Sequence, residues 1–182
     1  MSEVCPVDWE SWEPEMRATL MFVRVGDEVL LIEKQRGIGA GKINGPGGKI
    51  DPGETPLECA IRETQEELHI TAKGVRKMGE LFFAMSDIPQ IHCHVFLATG
   101  YEGEPTATEE AIPCWTPVDE IPFERMWEDD RHWLREMLDG QAFEGRFVFE
   151  GELIVWKDVK WLGESGSWEE ENPLGSECGA GS

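Results

Sequence analysis

Two apolar runs separated by a two-residue break open the regular part of the chain. RATLMFVRV (17–25) and EVLLIEK (28–34) flank Gly26-Asp27, and the pair predicts two strands joined by a tight turn. GIGAGKINGPGGKI (37–50) then places six glycines in fourteen residues and predicts a loop, not an element. From Pro56 to Leu68 the period changes. Leu57, Ala60, Ile61, Thr64 and Leu68 fall on one arc at ~100° per residue, the pattern of an amphipathic helix with that arc buried. Thr55-Pro56-Leu57-Glu58 supplies its start: a threonine cap, proline at the first helical position, and a glutamate that closes a capping box.

Further on, GELFFAM (79–85) and IHCHVFLATG (91–100) read as strands with a turn near Asp87 to Gln90. EEAIPCWTPVDEIPFERMW (109–127) mixes a short strand with turns, DDRHWLREML (129–138) predicts a second helix, and GRFVFE-GE-LIVWKDV a closing hairpin. The fold class is therefore α/β (α+β), with one domain over residues 17–162. An irregular arm, residues 1–16, precedes it, with Trp9 and Trp12 expected over part of the core. The acidic Gly/Ser-rich stretch 163–182 predicts a disordered tail. A chain of 182 residues suits one full core, and neither a repeat nor a second domain is evident.

Charge narrows the partners. A formal net charge of -21 argues against a nucleic-acid polymer or an anionic membrane, and a polyanionic substrate would need an escorting cation. No apolar run approaches a membrane span, and MSEVCPVDWE lacks the basic-then-apolar form of a secretory signal, so a cytoplasmic location is expected. Cys5, Cys59, Cys93, Cys114 and Cys178 stand singly, as reduced thiols do, and not as a disulfide frame or a zinc site. His92 and His94 flank Cys93, but in a strand the histidines face one way and the cysteine the other, so no metal role is expected there.

Glu63, Glu66 and Glu67 occupy a second, contiguous arc of the helix, taken as its exposed face, because positions i, i+3 and i+4 are neighbours. Arg62 is the only base on the helix, so their repulsion is not balanced by helix residues. Hard divalent cations want oxygen ligands, and such a cluster supplies them. Glu54, in the preceding loop, is placed to point the same way, and GPGGKI lets backbone approach a ligand closely.

Gly48, Glu54, Arg62, Glu63, Glu66, Glu67 and Ile70 fit the spacing G-x5-E-x7-R-E-U-x-E-E-x-G-U, U being a bulky aliphatic, and on these residues the chain resembles the Nudix hydrolases. Thr64 replaces an aliphatic and His69 replaces the glycine that takes a positive φ. Histidine tolerates that conformation better than most residues.

The resemblance implies a Nudix fold, an α/β/α sandwich with a central mixed β-sheet, and hydrolysis of a nucleoside diphosphate derivative. It implies Mg2+, with Mn2+ as a substitute, held by Glu63, Glu66, Glu67 and the Gly48 carbonyl, with Glu110 as a more distant ligand or base. Glu66 or Glu67 would orient or deprotonate the attacking water, and Arg62 would hold the glutamates. RGIGAGKINGPGGKI, PCWTPVDEIPFERMWEDDRHWL and FEGRFVFEG extend the likeness to the MutT-like oxidised purine nucleoside triphosphatases, which sanitise the nucleotide pool.

For that subfamily the matching substrate residues are Asn44, Phe83, Trp127, Asp129 and Asp130, together with Lys34 and Thr19. Trp127 and Phe83 would stack the base, Asn44 would donate and accept, and one of the two aspartates would stay protonated to donate to a purine carbonyl. Ile38, Pro46 and Met85 stand where mammalian members carry aromatic residues, which implies a less aromatic pocket. A monomer acting on a small nucleotide is expected. The rival readings are a Nudix hydrolase of ADP-ribose, a dinucleoside polyphosphate or a nucleotide sugar, and a binding module without turnover.

Overall fold

The computed structural model describes residues 4–87 and 89–164. The first hairpin forms as its pattern predicts: β1 (Met16–Val25) pairs antiparallel with β2 (Glu28–Lys34) through Gly26, whose φ is 62°. Helix α1 (Pro56–Leu68) also has the predicted bounds. Its capping box is complete: Glu58 N donates to Thr55 Oγ1 at 3.1 Å, and Thr55 N donates to Glu58 Oε1 at 2.9 Å. At its end His69 takes the glycine's left-handed conformation, φ 63° and ψ 32°. A non-glycine residue there costs roughly 1 kcal/mol. His69→Gly is therefore expected to raise the thermal midpoint by roughly 2–4 °C, read by calorimetry. A fall would mean that the imidazole makes a contact worth more than the strain.

Three expectations are corrected. The glycine-rich loop contains two short strands, β3 (Ile43–Asn44) on β2 and β4 (Gly47–Lys49) on β1. A Cβ at Gly47 would land on the Thr19 carbonyl, so only glycine lets β4 lie this close. The strand expected at 79–85 begins at Ile70: β5 (Ile70–Met85) was hidden by Lys73, Gly74, Arg76 and Lys77, which break the alternation. The second helix is a 3-10 turn (Glu128–His132) followed by a five-residue α2 (Leu134–Leu138). Trp133 divides them, with φ -145° and its indole stacked 5.0 Å from the Phe143 ring.

Strands β6 (Ile91–Gly103), β7 (Ala111–Pro117), β8 (Ala142–Glu150) and β9 (Leu153–Gly163) complete a sheet of order β3-β2-β1-β6-β5-β8-β9, with β4 on β1 and β7 on β2. β1–β6 and β5–β8 are parallel and the other pairs antiparallel, so the sheet is mixed. Helix α1 buries Leu57, Ala60 and Leu68 against Met21, Val23 and Phe96 on one face. Trp133, Leu134 and Met137 cover Phe22, Leu31 and Phe143 on the other, which makes the α/β/α sandwich. In the arm, Trp12 donates to Gln90 Oε1 at 2.8 Å and meets Phe82 edge-on, while Trp9 packs on Trp156. The tail expected from Gly163 lies, beyond Glu164, outside the described residues.

Among the described residues no helix is long and apolar enough to cross a membrane.

Candidate active site

Helix α1 carries the carboxylates, but not all on an exposed face. Glu66 is half-exposed, whereas Glu67 is only 6% exposed and joins the buried side with Thr64, while Ile61 is half-buried. Nor are the glutamates unbalanced. Arg62 donates to both oxygens of Glu54, at 2.6 and 3.0 Å, and its Nη1 reaches Glu63 at 3.1 Å and Glu66 at 3.2 Å. Asp51 adds a fourth carboxylate at 3.4 Å. One planar guanidinium thus orders a ring of acids, and Glu54 faces Arg62, whose hydrogen bonds pull its carboxyl below the usual range.

Burial works the other way on the inner pair. Glu63 is pushed up by burial despite Arg62. Glu67 is pushed up to about 8, by burial first and then by the charge of Glu63. Its carboxyl accepts from the Gly47 backbone N–H, yet Oε1 is buried with no partner. A Cβ at Gly48 would strike the Glu63 carboxylate, so glycine is what lets the strand backbone and the acids meet. Two crowded carboxyls, an orphaned buried oxygen and an adjacent backbone carbonyl suit a hard divalent cation. Glu110 contributes charge at Glu67 and is paired with Arg36 at 3.6 Å.

A cavity of about 290 Å³ reaches from Glu67 to Asp129 and Asp130. Asn44, Phe83, Trp127, Asp129, Asp130, Lys34, Thr19 and Glu67 all line it. Thr19 does so beside Gly47 and Gly48, with its hydroxyl 3.3 Å from Cys59 Sγ on α1. Asn44 Oδ1 accepts from Gly45 N at 2.8 Å, which directs its NH2 to donate elsewhere. Phe83 is buried against Phe147 and Phe149, and Trp127 is half-buried with Lys42 5.0 Å above its ring. Ile38 and Met85 supply aliphatic wall, while Pro46 contributes its carbonyl to Met21 N at 2.8 Å.

The two aspartates differ sharply. Both are buried, at 3% and 2% exposure. Asp129 Oδ2 accepts from the Trp133 indole at 2.8 Å, so burial raises it only to about 6. Asp130 Oδ2 has no partner, and burial with the neighbouring charge of Asp129 pushes it well above the carboxylate range. Neither caps a helix. Burial and the neighbouring charge thus favour the neutral form at Asp130, while the indole hydrogen bond favours the ionised form at Asp129. Trp133, which makes this division, was read from the pattern only as a helix residue. Cys93 also lines the cavity, opposite in its strand to His92 and His94, as alternation predicts.

The NUDIX domain model matches residues 14–137. The chain is 41% identical over 138 residues to the oxidized purine nucleoside triphosphate hydrolase of Danio rerio, covering 75% of this chain and 88% of that protein. The protein of the same name from Mus musculus is 38% identical over the same shares. Among solved structures, the MutT protein of Bacillus halodurans superposes with a TM-score of 0.72 at 28% identity, over 80% of this chain and 97% of that one. With its box assembled on α1 and its mixed sheet between two helical layers, the chain belongs to the Nudix family.

Proposed function

We propose that the protein hydrolyses oxidised or otherwise modified purine nucleoside triphosphates, of the 8-oxo-dGTP type, to the monophosphate and pyrophosphate, and so sanitises the nucleotide pool of the cytoplasm. One observation carries this reading: Glu67 of α1 and the Asp129–Asp130 pair line the same cavity. The similarity to relatives named for oxidised purine triphosphates supports it.

Glu63, Glu66, Glu67 and the Gly48 carbonyl would hold Mg2+, or Mn2+ in its place, with Glu110 further out. When bound, the cation offsets phosphate charge and acidifies water. The water oxygen bonds to phosphorus, the P–O bond to pyrophosphate breaks, and Glu67 takes the proton. Arg62 positions the acids and does not touch substrate. Lys34 faces the triphosphate, while Trp127 and Phe83 stack the base. Asn44 donates to the base, Asp130 donates to its 6-carbonyl, and Asp129 accepts from its ring N–H.

The test is kcat/KM with Mg2+ for 8-oxo-dGTP, 2-hydroxy-dATP, O6-methyl-dGTP, dGTP and ADP-ribose. A modified purine triphosphate is expected to lead by at least about tenfold, since one good hydrogen bond in a buried site is worth roughly 1.5 kcal/mol. Preference for ADP-ribose would retain the Nudix chemistry and discard the base pocket. No turnover at all would make the protein a binding module.

A further inference from the structure

Three buried side-chain polar atoms among the described residues lack a partner, and the third lies away from the nucleotide cavity: His94 Nδ1. His94 is 8% exposed and sits on β6 opposite Glu80 of β5. Strict alternation would not bring Glu80 and Lys77 to one face, being three residues apart. A β-bulge at Met78 shifts the register, so that Lys77 pairs with Phe96 but Glu80 with His94. Glu80 thereby joins His92 and His94, and one ligand atom from each lies within 4.8 Å of the others.

We propose that Glu80, His92 and His94 form a binding site for a borderline divalent transition cation of the Zn2+ class, on the α1 side of the sheet. Two imidazoles and one carboxylate are a donor set that such cations prefer and that Mg2+ does not. Ligands held about 2.1 Å from one ion in a tetrahedron stand about 3.4 Å apart, so the cluster needs shifts of about an ångström or so. His92 Nε2 is already 2.7 Å from Glu80 Oε1. Lys77 donates to the other oxygen, Oε2, at 2.8 Å and so orients the carboxylate as a supporting donor does. Binding through Nε2 moves the His92 proton to Nδ1. Arg17, whose contact there is a long 3.4 Å at the surface, then turns to solvent. His92 and Glu80 retain some solvent exposure, which gives the ion an entry path, and a fourth position is left for water. The ion would tie β5 to β6 at the bulge.

Untagged full-length protein, stripped with chelator, would be dialysed against Zn2+ in saturating Mg2+ and its metal content measured. Co2+ in place of Zn2+ would give a visible d–d band. One retained equivalent per chain is expected, present also in Glu67→Gln. Removing a ligand, by His92→Asn or Glu80→Gln, should weaken binding roughly 100-fold and abolish the Co2+ band with the circular dichroism unchanged. Absence of a retained equivalent in the wild-type chain overturns the proposal whatever the variants do. So does an equivalent that survives in both His92→Asn and Glu80→Gln, because the ion then sits elsewhere.

Discussion

Glu67→Gln is expected to lower kcat about a thousandfold, near 4 kcal/mol of transition-state stabilisation, while leaving the fold intact or firmer. The amide keeps the shape and the acceptor for the Gly47 N–H, but removes the charge a cation needs and the base that takes the water proton. The effect on stability has the opposite sign. In the metal-free chain Glu67 is buried beside Glu63 and lies near 8, above its unfolded value. A group raised in this way contributes stability at low pH that is lost as pH climbs through that value. Glutamine has nothing to lose. Metal-free Glu67→Gln should therefore melt higher than wild type, with the gap widening as pH rises to about 8 and then holding level. Steady-state kinetics and calorimetry in chelator read the two halves. A variant that loses activity and also melts lower at high pH would mean the carboxylate is structural.

Asp129→Ala is expected to cost about 100-fold in kcat/KM on a modified purine triphosphate, because a hydrogen bond to a charged group is worth roughly 1.5–3 kcal/mol. A triphosphate that offers the pair no adjacent ring N–H and carbonyl should lose only a few-fold. The same substitution leaves the Trp133 N–H unpaired and should lower the melting point. Loss by the same factor on every substrate would remove Asp129 from base recognition.

The partner residue gives a pH signature. On the proposed reading Asp130 stays protonated, because burial and the Asp129 charge raise it. Purine selectivity should then be full above about pH 6, where Asp129 is ionised, and decline as pH rises further and Asp130 ionises, with metal saturating throughout. In Asp130→Asn, whose NH2 donates at any pH, the ratio should stay flat. A wild-type ratio that is flat from about pH 6 to 9 would refute the division of labour.

Much of this chemistry was legible along the chain because it is local. A helix has one period, so Glu63, Glu66 and Glu67 are neighbours however the rest folds, and Thr55, Pro56 and Glu58 mark its start. Strand alternation likewise put Cys93 on the side opposite its flanking histidines. His69 could stand for glycine because its backbone tolerance is its own property. Arg62 carried less information, since its partners Glu54 and Asp51 come from a loop that the helix period does not describe.

What only the tertiary structure decided are the properties set by distant segments. Glu67 is adjacent to exposed positions in sequence, and it is β4 lying on β1 that buries it and shifts its proton affinity. Asp129 and Asp130 are chemically identical until the Trp133 indole reaches one of them. Glu80 meets His92 and His94 only because a bulge changes which face it points to, and no spacing rule survives an inserted residue. Periodicity records the geometry of one element. Burial, ionisation and convergence depend on what the remainder of the chain places against it.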